Sequence, residues 1–243
     1  MKFNDVLRQR RSMRDFSSNP VPEEILDKIL DAALSSPSSS NTQPYRIAVA
    51  KGAVRDEIRK NLTKKFIKAN RLNRMTLPKK VVHGVVGGLF GGVLPDGDFK
   101  VNVNYPTELK KRAVECGVGL YKILDIKRSD LRARDRQMQR NFEFFDAPVA
   151  IFLFVHGERE MFSALDAGMF LQSLMLAATA EGLGTCAQGA LATWASPVRK
   201  QFNIDKDYKL ICGLSLGYPT EHVVNNYQPK KRTIHELCFK EKS

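Results

Sequence analysis

Residues 158–188 read EREMFSALDAGMFLQSLMLAATAEGLGTCAQ. The segment 158–181 is apolar almost all round, so it is expected to form a long central helix, buried on every side. Gly182 suits its C-terminal stop, because glycine takes up a left-handed conformation at little cost. The letters Gly182-Leu-Gly-Thr-Cys-Ala187 match G-x-G-x-x-A. A dinucleotide fingerprint, however, must follow a strand and open a helix. Here the helix comes first and an extended segment, Thr185–Gln188, comes second. That order excludes a dinucleotide-binding βαβ unit and makes this stretch a helix feeding a strand.

Working outward, Ala147–Val155 is a continuous apolar run bounded by Pro148, which suits a buried strand. Lys209–Gly217 is expected as the last core strand and Arg46–Lys51 as a short one. Helices are expected over 3–11, from Pro22 to Pro37, over 53–75, 107–126 and 129–145, and from Ser196-Pro197 onward. Ser129 is the expected N-cap of the fifth. Residues 219–243 read as a polar, basic, extended tail. No repeat and no linker divides the chain, so the layout is one α+β domain, 1–243, around a mixed sheet. Val81–Leu94, running on to Tyr105, is apolar and glycine-rich, and suits a mobile cover or an interface loop.

The chain has 243 residues, 43% hydrophobic and 27% charged, which excludes a disordered or fibrous protein. Its 39 Lys+Arg against 26 Asp+Glu leave a formal charge of +13. Such a surface attracts an anion: nucleic acid, acidic lipid or a phosphorylated small molecule. The basic run from Lys51 to Lys80 comes with no helix-turn-helix, zinc or aromatic-strand signature, which argues against a nucleic-acid partner. No uninterrupted apolar run reaches the roughly 20 residues of a bilayer span. The longest candidate, Ala164–Ala180, is broken by Asp166 and Gln172. The N-terminus, MKFNDVLRQRR, lacks a signal-peptide core. The expectation is a cytoplasmic protein with no membrane partner. Cys116, Cys186, Cys212 and Cys238 are widely spaced and are expected as buried, reduced thiols.

The chemical inventory is thin. His83, His156, His222 and His235 have no metal-ligand spacing, so no metal site is expected. There is no P-loop. Gly213-Leu-Ser-Leu-Gly217 matches G-x-S-x-G only in letters, inside a strand. The reactive chemistry of an enzyme built this way belongs to a cofactor. Three polar clusters remain. Arg10, Ser12 and Arg14 form a forked donor set suited to a phosphate if the first helix continues through them, or else the solvated basic end of that helix. Ser35–Pro44 offers hydroxyls and amides to a polar ring edge or sugar, or is an ordinary loop. Pro229–Arg232 is a basic run, by itself a solvated one.

In order and spacing, RRSMRDF at 10–16, SPSSSNTQPY at 36–45, EGLGTCAQGAL at 181–191, GLSLGYP at 213–219 and the PKKR tail resemble the flavin-dependent nitroreductase family. The likeness spans nearly the whole chain except roughly 70–105, a variable insertion that leaves the acceptor contacts open. It implies a central mixed or antiparallel sheet surrounded by helices, with a C-terminal tail extending onto the partner subunit of a homodimer. It implies FMN, held without a covalent bond at the dimer interface. Arg10, Arg11, Ser12 and Arg14 would hold its phosphate and ribityl end, and Lys230 and Arg232 would close on the same phosphate. The Pro37–Asn41 loop, with Ser38 and Ser39, would come from the other subunit, and Gln43 would add a further contact. Gln188 and Gly189 match the pair whose backbone N–H faces flavin N5. The implied reaction is ping-pong: NADH or NADPH gives a hydride and leaves, and a nitroaromatic, quinone or similar electrophile then takes the electrons. Reductive dehalogenation or flavin fragmentation on the same fold is the alternative chemistry.

Overall fold

A computed structural model describes residues 2–74, 93–101, 104–239 and 241. The expected cover over 81–94 therefore lies outside the described residues, apart from Val93 and Leu94. Four strands, β1 (Tyr45–Lys51), β2 (Val149–His156), β3 (Gly184–Gln188) and β4 (Tyr208–Gly217), form one sheet in the order β1-β2-β4-β3. All three pairings are antiparallel, which corrects the mixed sheet to an antiparallel one. Among the described residues, parallel pairing is confined to an isolated bridge between Ser12 and Thr185.

The centre of the sheet is β2, buried along almost its whole length. Side chains alternate across a strand, so β2 serves two cores. Val149, Ile151, Leu153 and Val155 meet α2 (Glu23–Leu34) and α6 (Glu160–Ala180) on one face. Ala150, Phe152 and Phe154 meet α3 (Gly52–Asn73) and the turns around Phe142–Phe145 and Leu191–Trp194 on the other. The sheet is thus the middle of three layers. The other α-helices among the described residues are α1 (Phe3–Gln9), α4 (Thr107–Ile123), α5 (Leu131–Gln139), α7 (Ser196–Arg199) and α8 (Ile234–Leu237).

Several sequence expectations are corrected. The expected 129–145 helix is α5, capped by Asp130 rather than Ser129: the Asp130 carboxylate accepts the Ala133 N–H at 2.9 Å. Beyond Gln139 the chain tightens into a 3-10 stretch, Arg140–Asp146, in which Phe144 and Phe145 take up φ of 57° and 53°. Neighbours on an α-helix point about 100° apart. The left-handed step lets both aromatic side chains enter the core, where burial of two large rings offsets the strain. The tail is not simply extended, since Val223–Asn226 is a 3-10 turn and α8 follows with a Thr233–Glu236 capping box. Of the four free cysteines only Cys186 is buried, and Cys238 is exposed.

The long helix α6 is also not buried all round. Ala167, Phe170, Leu174 and Ala178 face the sheet, whereas Met161, Phe162 and Leu165 are exposed. The stretch Gly157–Ala180 is long and apolar enough, by length and composition alone, to span a bilayer; Asp166 and Gln172 interrupt it too little to prevent that. Its sheet-facing side packs in a protein core, and Gly182 at φ 77° ends it as expected.

Residues 93–98 are fastened to the core. Trp194 Nε1 donates to the Val93 carbonyl, Gly97 N–H to the Thr193 carbonyl, and Asp98 accepts from Leu210 N–H and Arg199. At Gly97 an added Cβ would lie 1.9 Å from the Ala192 carbonyl oxygen. Gly97→Ala should therefore push this strap off the Ala192–Thr193 backbone and lower stability by about 1–3 kcal/mol. Urea unfolding of the two proteins checks it.

Candidate functional site

The basic stretch near the N-terminus does not continue α1. The helix ends at Gln9, and Arg10 is already extended at φ −59°, ψ 114°. Beyond it the chain runs beside β3: Met13 N–H donates to the Thr185 carbonyl at 2.9 Å, and Ser12 bridges Thr185. This corrects the helical fork. In an extended chain residues i, i+2 and i+4 share a side, so Arg10, Ser12 and Arg14 form one row. Cys186 reports the row directly. Burial pushes its thiol up, while the Arg14 charge, the Ser12 hydroxyl and the Arg10 charge pull it back in part.

Arg11 faces the other way. Its Nε–H donates to the Asn225 carbonyl at 2.6 Å. Asn225, which the sequence reading missed, is a hub. Its Oδ1 accepts the Arg14 N–H at 2.7 Å, and its Nδ2 donates to the carbonyls of Asp15 at 2.8 Å and Thr220 at 2.9 Å. A lone Asn in a polar tail carries no local signal of this. Arg140 closes the opposite side, bonding Asp15 Oδ1 at 2.6 Å and the Arg14 carbonyl at 3.3 Å.

The charges of the row are unbalanced. Arg140, Arg199 and Arg136 each pair with a carboxylate. Among the described residues Arg10, Arg11 and Arg14 pair with none, although all three are half-buried. Half-buried guanidinium groups with a hydroxyl between them are a donor set matched to a phosphate. By that test the residues present fit a phosphorylated cofactor.

At the end of β3 the alternation continues. Gln188 is buried; its Nε2 donates to the Asn141 carbonyl at 2.8 Å and its Oε1 accepts from Ser215 Oγ. The side chain is turned into the core, and Ala187 and Gly189 lie exposed on either side of it. Gly189 opens a 3-10 turn, Gly189–Thr193, where the first backbone N–H groups have no helical partner. An added Cβ at Gly189 would meet nothing nearer than Val101 at 4.0 Å. An exposed, flat piece of backbone suits the approach of a planar ring.

Tyr227, in the tail, links it to α4. Its hydroxyl donates to the Cys116 carbonyl at 2.7 Å, and its pKa is pushed up to about 12 by burial and by the Cys116 side chain, against the Arg14 charge. Lys230 is exposed beside it, in a hollow of about 330 Å³ lined also by Arg112, whose Nη2 donates to the Lys230 carbonyl. Arg232 is exposed and paired with Glu108. The remaining expected residues lie elsewhere. Pro37, Ser39, Asn41 and Gln43 are exposed and Ser38 is half-buried, in a turn docked on α6. Among the described residues no hydrogen bond or ion pair joins that turn to the arginine row.

An arginine row on a strand edge, an open Gly189 backbone and a separate serine-rich turn define a cofactor-binding α+β fold. Residues 7–218 match the family model described as Nitroreductase family, and the chain belongs to that family. Relatives include nitrobenzene nitroreductase of Ectopseudomonas oleovorans, 33% identical over 92% of this chain and 89% of the relative. Another is 4-nitrobenzoate reductase of Pseudomonas putida, 29% identical over 92% and 88%. Among solved structures, the FMN-dependent nitroreductase NfnB from Mycobacterium smegmatis in complex with NADPH superposes with a TM-score of 0.80, at 28% identity over 98% of this chain and 97% of that one.

Because the Asn225 side chain ties the Arg14 N–H to the Asp15 and Thr220 carbonyls, Asn225→Ala should lower stability by about 1–3 kcal/mol. Amide exchange at Arg14 should accelerate more than exchange in β2. Equal protection of Arg14 in both proteins would show that Asn225 does not hold the row.

Proposed function

We propose that this chain is an FMN-dependent nitroreductase that oxidises NADPH, works as a homodimer and passes electrons to nitroaromatics, quinones or similar acceptors. The observation that carries this reading is the row Arg10, Ser12 and Arg14, half-buried beside β3 without a carboxylate partner among the described residues. The relatives named above, two reducing nitroaromatic compounds and one binding FMN and NADPH, support it. When bound, FMN would supply the hydride and electron transfer that this chain's side chains lack.

The protein's own part is binding and orientation. Arg10, Ser12 and Arg14 would hold the phosphate, with Lys230 and Arg232 approaching from the tail. For Arg232 that requires leaving Glu108, an exposed pair that costs little to break. Arg11 would act through Asn225, holding the segment, rather than by touching phosphate. The backbone at Gln188-Gly189 would face the ring, while the Gln188 amide stays in the core. The Pro37–Gln43 turn would serve the partner subunit's flavin, which agrees with its separation from the arginine row within one chain. Exposed Met161, Phe162 and Leu165 on α6, and Phe3 and Leu7 on α1, give the apolar surface for a dimer contact above about 2,000 Å² in total. The four free cysteines suit a reducing compartment.

The purified protein should be yellow, sediment as a dimer at micromolar concentration and oxidise NADPH when nitrobenzene is supplied. Parallel lines in double-reciprocal plots are expected for ping-pong turnover. Each charge-assisted phosphate contact is worth about 1.5–3 kcal/mol. Replacing Arg10 and Arg14 together by Ala should thus weaken FMN at least about a hundredfold in a folded protein. Unchanged FMN affinity in that variant would remove the phosphate assignment.

A further inference from the structure

We propose that Asp166 is the positioning residue for the Ser38–Gln43 turn, holding it through one hydrogen bond to the Ser39 backbone. The inference rests on the reading above, in which this turn packs against FMN, and it names the group that sets the turn's position.

The turn is strained, and its internal hydrogen bonds, which include Asn41 N–H to the Ser38 carbonyl and Thr42 N–H to the Ser39 carbonyl, do not tie it to the rest of the fold. Ser40, Asn41 and Gln43 have φ of 51°, 54° and 45°, three non-glycine residues in the left-handed region within four positions. Such conformations persist only when the surroundings impose them. Inside the turn, Ser38 Oγ accepts the Gln43 N–H at 3.0 Å and Thr42 Oγ1 donates to the Ser39 carbonyl at 2.9 Å. From outside, among the described residues, a single hydrogen bond reaches residues 38–43: Ser39 N–H donates to Asp166 Oδ2 at 3.2 Å.

Asp166 is itself an anomaly. It is 3% exposed and pairs with no cation among the described residues. A buried carboxylate without a counter-charge is costly, and an apolar side chain would suit packing better. Ser163, one turn earlier on α6, and Tyr45, just past the turn, both bury hydroxyl groups that have no hydrogen-bond partner among the described residues. The Tyr45 ring stacks on Phe170, one turn later, with centroids 4.6 Å apart. Burial and the Asp166 charge push the Tyr45 phenol up. A second fastening lies upstream, where Ser36 Oγ donates to Ser173 Oγ at 2.7 Å. The core helix α6 therefore fastens this segment at two points, Ser173 to Ser36 before the turn and Asp166 to Ser39 at its strained part.

The test measures FMN dissociation constants by flavin fluorescence on apo-protein reloaded with FMN, together with the dimer fraction. Asp166→Asn keeps an oxygen that accepts the Ser39 N–H and should bind FMN within about threefold of the unaltered protein. Asp166→Ala should weaken FMN about tenfold, the scale of one hydrogen bond. Ser39→Pro removes the N–H while leaving Asp166 in place, and proline is tolerated at the first position of a helical turn. It should give a similar loss, with no further loss when combined with Asp166→Ala, and it carries the test if Asp166→Ala fails to fold. Unaltered protein that binds no FMN would overturn the flavin reading and this inference with it. If the unaltered protein binds FMN, three outcomes overturn the inference alone: full affinity in Asp166→Ala, Asp166→Asn as weak as Asp166→Ala, or additive losses in the double variant.

Discussion

The cation row depends on one constraint, the clamping of residues 11–16 between β3 and the turn at Val223–Asn226. Thr185 takes the Met13 N–H on one side, and Asn225 takes Arg11 and the Arg14 N–H on the other. A segment with no partner of its own is thereby made into an added strand edge. Extension is what sets Arg10, Ser12 and Arg14 on one side and turns Arg11 to the other. Arg140 and Thr220 secure Asp15 from the remaining directions, so this acidic residue neutralises Arg140 rather than the row. The row keeps its charge because the nearby carboxylate is already engaged.

The helix α6 joins the cores to the rest of the site. One face builds the core against β2, and the Ser36 and Asp166 contacts anchor the serine-rich turn to it. Another face, through Met161 and Leu165, leaves apolar surface outward. An element that is apolar all round and yet only half covered serves both an intrachain core and an outer contact. Removing its polar interruptions would improve its hydropathy and release the turn.

Much was legible locally. Strand positions follow from the local pattern: β1, β3 and β4 start within one residue of expectation, and β2 within two. The order of helix before strand at Gly182 was enough to exclude a dinucleotide fold, and the structure retains that order. The ordered motifs led to the family that residues 7–218 match. What failed locally has a common cause. The helical reading of Arg10–Arg14, the unbroken helix through Phe145 and the full burial of α6 were all drawn from neighbours in sequence. In each case a partner elsewhere in the chain decided, or the lack of one did.

By itself the sequence determined which residue types are available: cations and hydroxyls near residue 10, a serine-rich turn near residue 40, a small residue at 189 and few groups able to do acid–base chemistry. These are properties of single residues and short periods, and they survive without a fold. Only the tertiary structure decided which of them face together. The Gln188 amide turns to Ser215 and Asn141, Arg11 to Asn225, and Ser39 to Asp166. A hydrogen bond forms only where two groups meet within about 3 Å and in line. Between positions as distant as Arg11 and Asn225, packing of the sheet and its helices, not local sequence, brings them to that distance.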